Sequence, residues 1–215
     1  MRIGILGGSF NPVHNGHLRL GLETLEQMGL SRVDFVPALF PPHKKNDHIL
    51  PFDLRFRMLV EAVSNIPGLE VNDLEGRRRG TSYTVDTLRE YRRSESQAQI
   101  FFILGCNDFL TLPHWQDWTD LFQLSNFIVV GRLGLDWEQT EQLLQEQFAS
   151  DFRQEDTGWG WIVSENTQVF YLEIPRLEIS STLIRSKWSG GKSLKYLLPE
   201  RVEALLHESR ETIEW

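Results

Sequence analysis

The N-terminal stretch MRIGILGGSFNPVHNGH, Met1 to His17, decides the fold class and raises the functional question. Its first part, Arg2 to Leu6, is a short apolar run typical of a buried strand. A glycine turn follows at once, and the residues from Gly16 to Met28 have the apolar spacing of an amphipathic helix. A strand, a tight turn and a helix in that order predict the first unit of a parallel α/β sheet.

The same alternation of short apolar runs and amphipathic segments continues to the C-terminus. We therefore predict a Rossmann-like, doubly wound parallel sheet with helices on both faces, in a single domain spanning residues 1–215. Further strands are predicted at Val33–Pro37, Leu69–Val71, Gln99–Leu104, Phe127–Val130 and Val169–Ile174. Further helices are predicted at Asp53–Ser64, Thr84–Arg92, Thr119–Leu124, Trp137–Phe148, Ser181–Trp188 and Pro199–Glu208.

Residues 133–167 form the part of the chain that fits this alternation least well. The stretch is acidic and loop-rich, and we interpret it as an insertion on the core. It contains the sequence GWGW, Gly158 to Trp161, whose two tryptophans we interpret as local packing in preference to a ligand site.

Composition excludes several classes of function. The formal net charge of the 215 residues is −8, which argues against non-specific electrostatic binding to nucleic acid. A single cysteine, Cys106, allows no intramolecular disulfide. The N-terminal apolar run is too short for a signal peptide, and no run approaches the roughly 20 residues that span a bilayer. We expect a cytoplasmic protein without nucleic-acid or membrane partners, and the sequence does not predict its oligomeric state.

The turn after the first strand lies where ligands bind in doubly wound sheets, at the carboxyl ends of the strands. Gly7 and Gly8 lack side chains that would keep a phosphate from the backbone, and the following helix N-terminus attracts anions. His14 and His17 share one side of that helix start. The residues alone leave three interpretations open: a glycine turn with two surface histidines, a zinc site without an evident third ligand, or a nucleotide triphosphate site that is neither a Walker A loop nor GxGxxG.

A family resemblance narrows these interpretations. SFNPVHNGH, residues 9–17, resembles the (T/S)FxPxHxGH motif of a nucleotidyltransferase superfamily, and ISSTLIR, Ile179 to Arg185, resembles its second signature. PALFPPHKK at Pro37–Lys45, SYTVDTL at Ser82–Leu88 and LGCNDFLTLPHWQDW at Leu104–Trp118 are similar to segments of bacterial nicotinate mononucleotide adenylyltransferases. The resemblance does not cover the acidic stretch of residues 133–167.

Such a resemblance implies transfer of an adenylyl group from ATP to nicotinate mononucleotide, giving deamido-NAD and pyrophosphate. Mg²⁺ would accompany ATP, held largely by phosphates and water. The attacking phosphate is already an anion, so the protein needs no general base and only has to hold the phosphates in line and offset their charge. The alternatives are an adenylyltransferase acting on nicotinamide mononucleotide or phosphopantetheine, and a catalytically silent nucleotide-binding regulator.

The resemblance also implies roles for individual residues. A helix N-terminus at the SYT segment would bind the nicotinate carboxylate in preference to a carboxamide, and Trp115 would stack on the pyridine ring. The implied catalytic residues are His14, His17, Lys44 and Arg185, and no metal ligand is assigned. The implied ATP-binding residues are Gly7, Gly8, Ser9, Phe10, Gly16, Ile179, Ser180 and Thr182, with capping of a helix as the alternative for Ser180. The implied substrate-binding residues are His43, Ser82, Tyr83, Thr84, Gly105, Asn107, Asp108, Trp115 and Arg132.

Two positions depart from the family pattern. Asn11 stands where aspartate is common, and we expect little change because asparagine also caps and accepts hydrogen bonds. The usual G-x-D after the fourth strand is shifted by one residue, so either Asn107 or Asp108 takes the aspartate role. Cys106 lies between Gly105 and Asn107. We interpret it as a small buried residue and not a nucleophile.

Two further features have competing interpretations. The run Arg77 to Arg79 is interpreted as a solvated loop, with steering of anions towards the site as the alternative. Trp118 fits core packing and ring stacking on a substrate equally well.

Overall fold

The structure, a computed structural model, describes residues 1–42, 49–131, 137–148, 152–154, 159–175, 177–213 and 215. The strands are β1 (Arg2–Gly8), β2 (Arg32–Pro37), β3 (Leu69–Val71), β4 (Gln99–Gly105), β5 (Asn126–Gly131), β6 (Arg153–Gln154), β7 (Gly160–Ser164) and β8 (Thr167–Glu173). The helices are α1 (Asn15–Gln27), α2 (Phe52–Val63), α3 (Leu74–Arg78), α4 (Thr84–Ser94), α5 (Cys106–Leu110), α6 (Trp118–Leu124), α7 (Trp137–Phe148), α8 (Ser181–Ser189) and α9 (Glu200–Glu208).

The strands form one sheet in the order β3-β2-β1-β4-β5-β8-β7-β6. Six neighbouring strands are parallel to one another: β3, β2, β1, β4, β5 and β8. The last two strands, β7 and β6, pair antiparallel at the far edge of the sheet. The chain builds outward from β1 to β3 and then returns to place β4 on the other side of β1. This reversal is the switch point at which doubly wound sheets bind ligands, and the carboxyl ends of β1, β2 and β4 meet there. The predicted fold class is confirmed.

Helices cover both faces of the sheet, and each face has its own hydrophobic core. One core includes Phe35, Met58 and Ile184, under α1, α2, α8 and α9. The other includes Leu88 and Phe127, under α4, α5, α6 and α7. Within the described ranges, no helix is long and apolar enough to cross a membrane.

The predicted strands and helices agree with the observed elements to within two residues at each end. The helices α3 and α5 were not predicted, because they have five residues each and are too short to show helical periodicity. The strands β6 and β7 were not predicted either, and in β7 Trp161 is buried with its ring 4.1 Å from that of Trp137. Local packing is thus confirmed for Trp161, whereas Trp159 is exposed. The interpretation of residues 133–167 as an insertion stays a prediction.

Candidate active site

The turn between β1 and α1 is a closely packed loop. Phe10 has a left-handed φ of 43° and is buried, and its ring meets the ring of His17 edge-on at 5.0 Å between centroids. A Cβ on Gly8 would lie 3.1 Å from the Phe10 ring, so glycine here lets the ring pack against the turn. Gly7 and Gly8 are the last two residues of β1, and Ser9 and Phe10 begin the turn, so these four predicted ATP-binding residues lie together at the carboxyl end of the strand.

The two histidines of this turn are stacked, with ring centroids 3.6 Å apart and 23° between the ring planes. His14 is only 5% exposed, and burial lowers its pKa from the ordinary 6.5 to about 4. Its imidazole is therefore neutral near pH 7. The His14 amide donates to Nδ1 of His17 at 3.3 Å, so the neutral tautomer of His17 carries its proton on Nε2. An uncharged His14 and the Nε2–H of His17 therefore lie side by side at the start of α1.

The second motif lies directly against this turn. Ser180 caps α8, and its Oγ accepts a hydrogen bond from an amide of the first helical turn at 3.1 Å. The capping alternative for this residue is confirmed. Ser181 Oγ donates to the carbonyl of Pro12 at 3.0 Å, and Nη1 of Arg185 donates to the carbonyl of Asn11 at 2.9 Å. The structure thus brings together the N-termini of α1 and α8, which carry the two sequence motifs.

Close packing around Gly16 keeps these two helix starts together. A Cβ at this position would lie 3.4 Å from the carbonyl oxygen of Ile179 and 3.0 Å from Nδ1 of His14. On the α8 side, Nη2 of Arg185 donates to the Thr182 hydroxyl at 3.3 Å. The Arg185 guanidinium therefore has a fixed orientation at the junction of the motifs.

Arg55, on α2, is a buried cation at the site that the sequence analysis missed. It is 1% exposed, its Nε donates to the carbonyl of Leu50 at 2.9 Å and its Nη1 donates to the carbonyl of Ser9 at 2.7 Å. A third, longer contact of 3.4 Å joins Nη2 to the carbonyl of Leu39. Burial lowers the pKa of Arg55 to about 10, so it stays charged at neutral pH. The sequence does contain a signal for this burial. Arg55 lies four residues before Leu59, so it falls on the apolar stripe of α2.

The departure at Asn11 is accommodated. Its Oδ1 accepts the amide of Leu50 at 3.0 Å, a bond that an aspartate could accept equally well. Together with Arg55, this bond ties the β1–α1 turn to the segment that leads into α2.

The chain after β2 and the start of α4 form the other half of the site. Ser82 Oγ accepts hydrogen bonds from the amides of Leu39 at 2.8 Å and Phe40 at 3.2 Å, and the Ser82 amide donates to the carbonyl of Phe40 at 3.0 Å. The Ser82 amide is thus engaged within the protein. Tyr83 is the N-cap residue of α4 and makes no side-chain capping bond, which leaves the first amides of the helix, from Thr84 onward, uncapped by a side chain.

Gly105 ends β4, and Cys106, Asn107 and Asp108 form the first turn of α5. Cys106 is buried with its Sγ 3.4 Å from the Thr140 hydroxyl, which confirms its interpretation as a small buried residue. Asn107 and Asp108 are both exposed at this edge of the sheet. Which of the two takes the usual aspartate role stays a prediction.

The structure separates the two candidate stacking tryptophans. Trp115 is half-buried, its Nε1 donates to the Thr111 hydroxyl at 3.2 Å and its ring meets that of Phe102 edge-on at 6.3 Å. Trp118 is partly buried as well, and its ring packs edge-on against Phe122 at 6.1 Å and against Phe148 at 6.3 Å. Core packing is therefore the role that the structure supports for Trp118, and Trp115 stays the candidate for ring stacking.

The prediction of a loop is wrong for Arg77 and Arg78, because both lie in α3, although the Arg77 side chain is exposed to solvent as predicted. Arg77 pairs with Asp73 at 2.8 Å. The Arg78 side chain is only 18% exposed and donates to the Thr87 hydroxyl at 3.2 Å. Arg79 follows the helix with a left-handed φ of 60°.

Three predicted site residues, His43, Lys44 and Arg132, lie outside the described residues. Across the described ranges, no group of three or more His, Cys, Asp or Glu side chains could hold a metal ion.

Comparisons with known proteins identify the family. A family model described as Cytidylyltransferase-like matches residues 5–187. Two curated relatives, each named "Probable nicotinate-nucleotide adenylyltransferase", come from Geotalea daltonii and Citrifermentans bemidjiense. They are 38% and 39% identical to this chain over 210 residues, which cover 98% of this chain and 97% of each relative. The chain belongs to the nicotinate-nucleotide adenylyltransferase family. The resemblance inferred from the motifs is confirmed.

Solved structures support the same fold for this nicotinate-nucleotide adenylyltransferase family member. A Plasmodium falciparum nicotinic acid mononucleotide adenylyltransferase complexed with NaAD matches with a TM-score of 0.74, covering 99% of this chain and 98% of that one. The same enzyme complexed with APC matches with a TM-score of 0.73. Because the identities are only 16% and 17%, these likenesses concern the fold alone.

Proposed function

We propose that this protein transfers the adenylyl group of ATP to nicotinate mononucleotide, forming deamido-NAD and releasing pyrophosphate. The observation that carries the proposal is the joining of two anion-binding helix starts at the switch point, where Arg185 bonds to the carbonyl of Asn11 beside His14 and His17. The names of curated relatives that match over nearly their full length support it.

The reaction is an in-line displacement at phosphorus. An oxygen of the mononucleotide phosphate attacks the α-phosphorus of ATP, and the bond from that phosphorus to the oxygen bridging to the β-phosphate breaks. Pyrophosphate leaves with the bonding electron pair. Because the attacking oxygen is already anionic, no side chain has to remove a proton, and the rate depends on alignment and on offsetting the charge of the leaving group.

The donors for this task come from the two helix starts. His17, with its proton on Nε2, would donate to the α-phosphate, and His14 would donate beside it. Arg185 and the amides of the first turn of α8 would bind the remaining phosphates, with Ser180 and Thr182 contributing hydroxyls. Lys44, with His43, would reach the reacting phosphates from the loop after β2.

The acceptor would bind at α4, where the first amides, from Thr84 onward, are not capped by a side chain. A carboxylate there interacts favourably with the positive end of the helix dipole, whereas a carboxamide carries no charge. Trp115 would stack on the pyridine ring. The Ser82 amide already donates to the carbonyl of Phe40, so we propose that Ser82 supports the loop after β2 and does not bind the carboxylate through its amide.

Mg²⁺ is the cation that we propose to accompany ATP. The imidazoles and the guanidinium at the joined helix starts are not ligands that Mg²⁺ favours, since it prefers oxygen. Phosphate oxygens and water would therefore hold the ion, and no protein ligand is assigned. When bound, the ion neutralises charge on the phosphates. A cytoplasmic location remains part of the proposal.

Product analysis with ATP labelled at the α-phosphorus tests the proposal. With nicotinate mononucleotide and Mg²⁺, we expect the label in a dinucleotide with the mass of deamido-NAD, and unlabelled pyrophosphate. A parallel reaction with the His17→Ala variant controls for contaminating enzymes. Label recovered only in ADP or in unreacted ATP would refute adenylyl transfer.

A further inference from the structure

Glu75, on α3, is a buried carboxylate that the transfer chemistry does not use. The residue is 7% exposed, and its Oε1 accepts a hydrogen bond from the Thr87 hydroxyl at 2.6 Å. Its Oε2 is buried and, among the residues that the structure describes, makes no well-formed hydrogen bond. Burying a carboxylate costs free energy unless neighbouring groups compensate. The groups that compensate therefore indicate which segments of the chain Glu75 connects.

Those neighbours come from α3 itself, from the chain after β2 and from the start of α4. Burial raises the pKa of Glu75, and hydrogen-bonding groups on Ser82 and Thr87, the charge of Arg78 and the amide of Leu39 oppose that rise. Among the residues that the structure describes, the cation paired with Glu75 is Arg78, whose Nη2 is 3.9 Å from Oε1. The carboxylate therefore lies between the chain after β2 and the start of α4.

The hydroxyl of Ser82 is the connecting group. Its oxygen accepts the amides of Leu39 and Phe40 at 2.8 Å and 3.2 Å, which occupy both of its lone pairs. The hydroxyl proton then has to point to another acceptor, and we infer that it points to the carboxylate of Glu75, whose pKa the Ser82 side chain lowers. Glu75 thus orients Ser82 so that its oxygen faces the loop.

We propose that Glu75 is a positioning residue for the mononucleotide, because through Ser82 and Thr87 it fixes the loop after β2 against the N-terminus of α4. This inference rests on the proposed function, which places the acceptor at the N-terminus of α4 and brings Lys44 and His43 to the reacting phosphates from the loop after β2. Glu75 is not expected to touch either substrate.

The test is Glu75→Gln, which keeps the size of the side chain and removes its charge and one acceptor. We expect KM for nicotinate mononucleotide to rise by about tenfold, while kcat and KM for ATP stay within about twofold. Quenching of tryptophan fluorescence on titration with the mononucleotide should show the same weakening without turnover. Glu90→Gln is the matched control, because Glu90 lies 3.8 Å from the same Arg78 but outside this contact, and it should match wild type.

A second set of variants covers the case in which Glu75→Gln does not fold. Thr87→Val removes the hydroxyl bonded to Oε1 and should raise KM for the mononucleotide, whereas Thr87→Ser keeps the hydroxyl and should restore it. The double variant Glu75→Gln with Ser82→Ala should weaken mononucleotide binding no more than the stronger single variant, because both act through one contact.

The outcomes distinguish this inference from the proposed function. An active wild type with Glu75→Gln unchanged, or with KM for ATP and for the mononucleotide raised in equal proportion, overturns the positioning role alone. A wild type that neither binds the mononucleotide nor forms a dinucleotide overturns the proposed function, and the positioning role with it.

Discussion

Replacing His14 with asparagine should change how the stability of the protein depends on pH. His14 is 5% exposed, and burial lowers the pKa of its imidazole from 6.5 to about 4. Between these values the unfolded chain binds a proton that the folded chain does not. The contribution to stability is therefore fully present above pH 6.5 and is lost as pH falls towards 4.

The size of the effect follows from the two pKa values. One pKa unit corresponds to about 1.4 kcal/mol, so a fall from about pH 7 to about pH 4.5 should remove ~2 kcal/mol of unfolding free energy through His14 alone. The fall is measured as the difference between wild type and His14→Asn, since other titrating groups are common to both proteins. Asparagine is chosen because it is a favourable N-cap residue for α1.

The assay is urea unfolding of both proteins without ligand at the two pH values. The wild-type advantage over His14→Asn should shrink by ~2 kcal/mol on acidification. His114→Gln, which removes an exposed imidazole on the 3₁₀ turn after α5, is the matched control. If the difference between wild type and His14→Asn is the same at both pH values, His14 does not resist protonation in the folded protein and the reasoning is refuted.

Three other substitutions test separate parts of the structure. His17→Ala should lower kcat at least about 100-fold, since loss of one preorganised donor costs roughly 2.7–4 kcal/mol of barrier, and a near-normal kcat in steady-state assays would refute its role. Arg55→Met should lower the urea unfolding free energy by about 3 kcal/mol, because two backbone carbonyls lose a charged donor; a loss below about 1 kcal/mol would show that water replaces it. Gly160→Ala should cost about 2 kcal/mol or more in the same assay, because its Cβ would collide with the carbonyl oxygen of Val169, and wild-type stability would contradict the β7–β8 register.

The sequence predicts much of this fold because each βα unit is locally periodic. β1, β4 and β5 are continuous apolar runs, and α1 and α2 have apolar stripes, so both periods are visible without tertiary information. The short helices α3 and α5 are not predicted, because five residues complete little more than one turn and show no helical period.

The candidate site is predictable where a motif carries it. His14, His17, Ser180 and Arg185 lie in the two stretches with family motifs, and the structure brings those stretches into contact. Arg55 is different, because its polarity opposes the apolar stripe of α2 and only its tertiary partners explain it.

Glu75 and the two tryptophans were hard to predict for a related reason. The partners of Glu75 come from separate segments, so nothing in its local sequence indicates burial. Trp115 and Trp118 have similar local sequence, and only their tertiary partners differ, since Trp115 meets Phe102 whereas Trp118 packs on Phe122 and Phe148. Side chains whose role depends on distant partners are the ones that pattern analysis misses.

Pyrophosphate release by the purified protein is the measurement that tests the proposed reaction most directly. ATP and Mg²⁺ would be supplied with nicotinate mononucleotide, nicotinamide mononucleotide or phosphopantetheine in parallel. We expect fast release with nicotinate mononucleotide and far slower release with the other two. Equal rates with the amide would contradict the role given to the N-terminus of α4, and no release with any acceptor, while ATP still binds, would contradict adenylyl transfer itself.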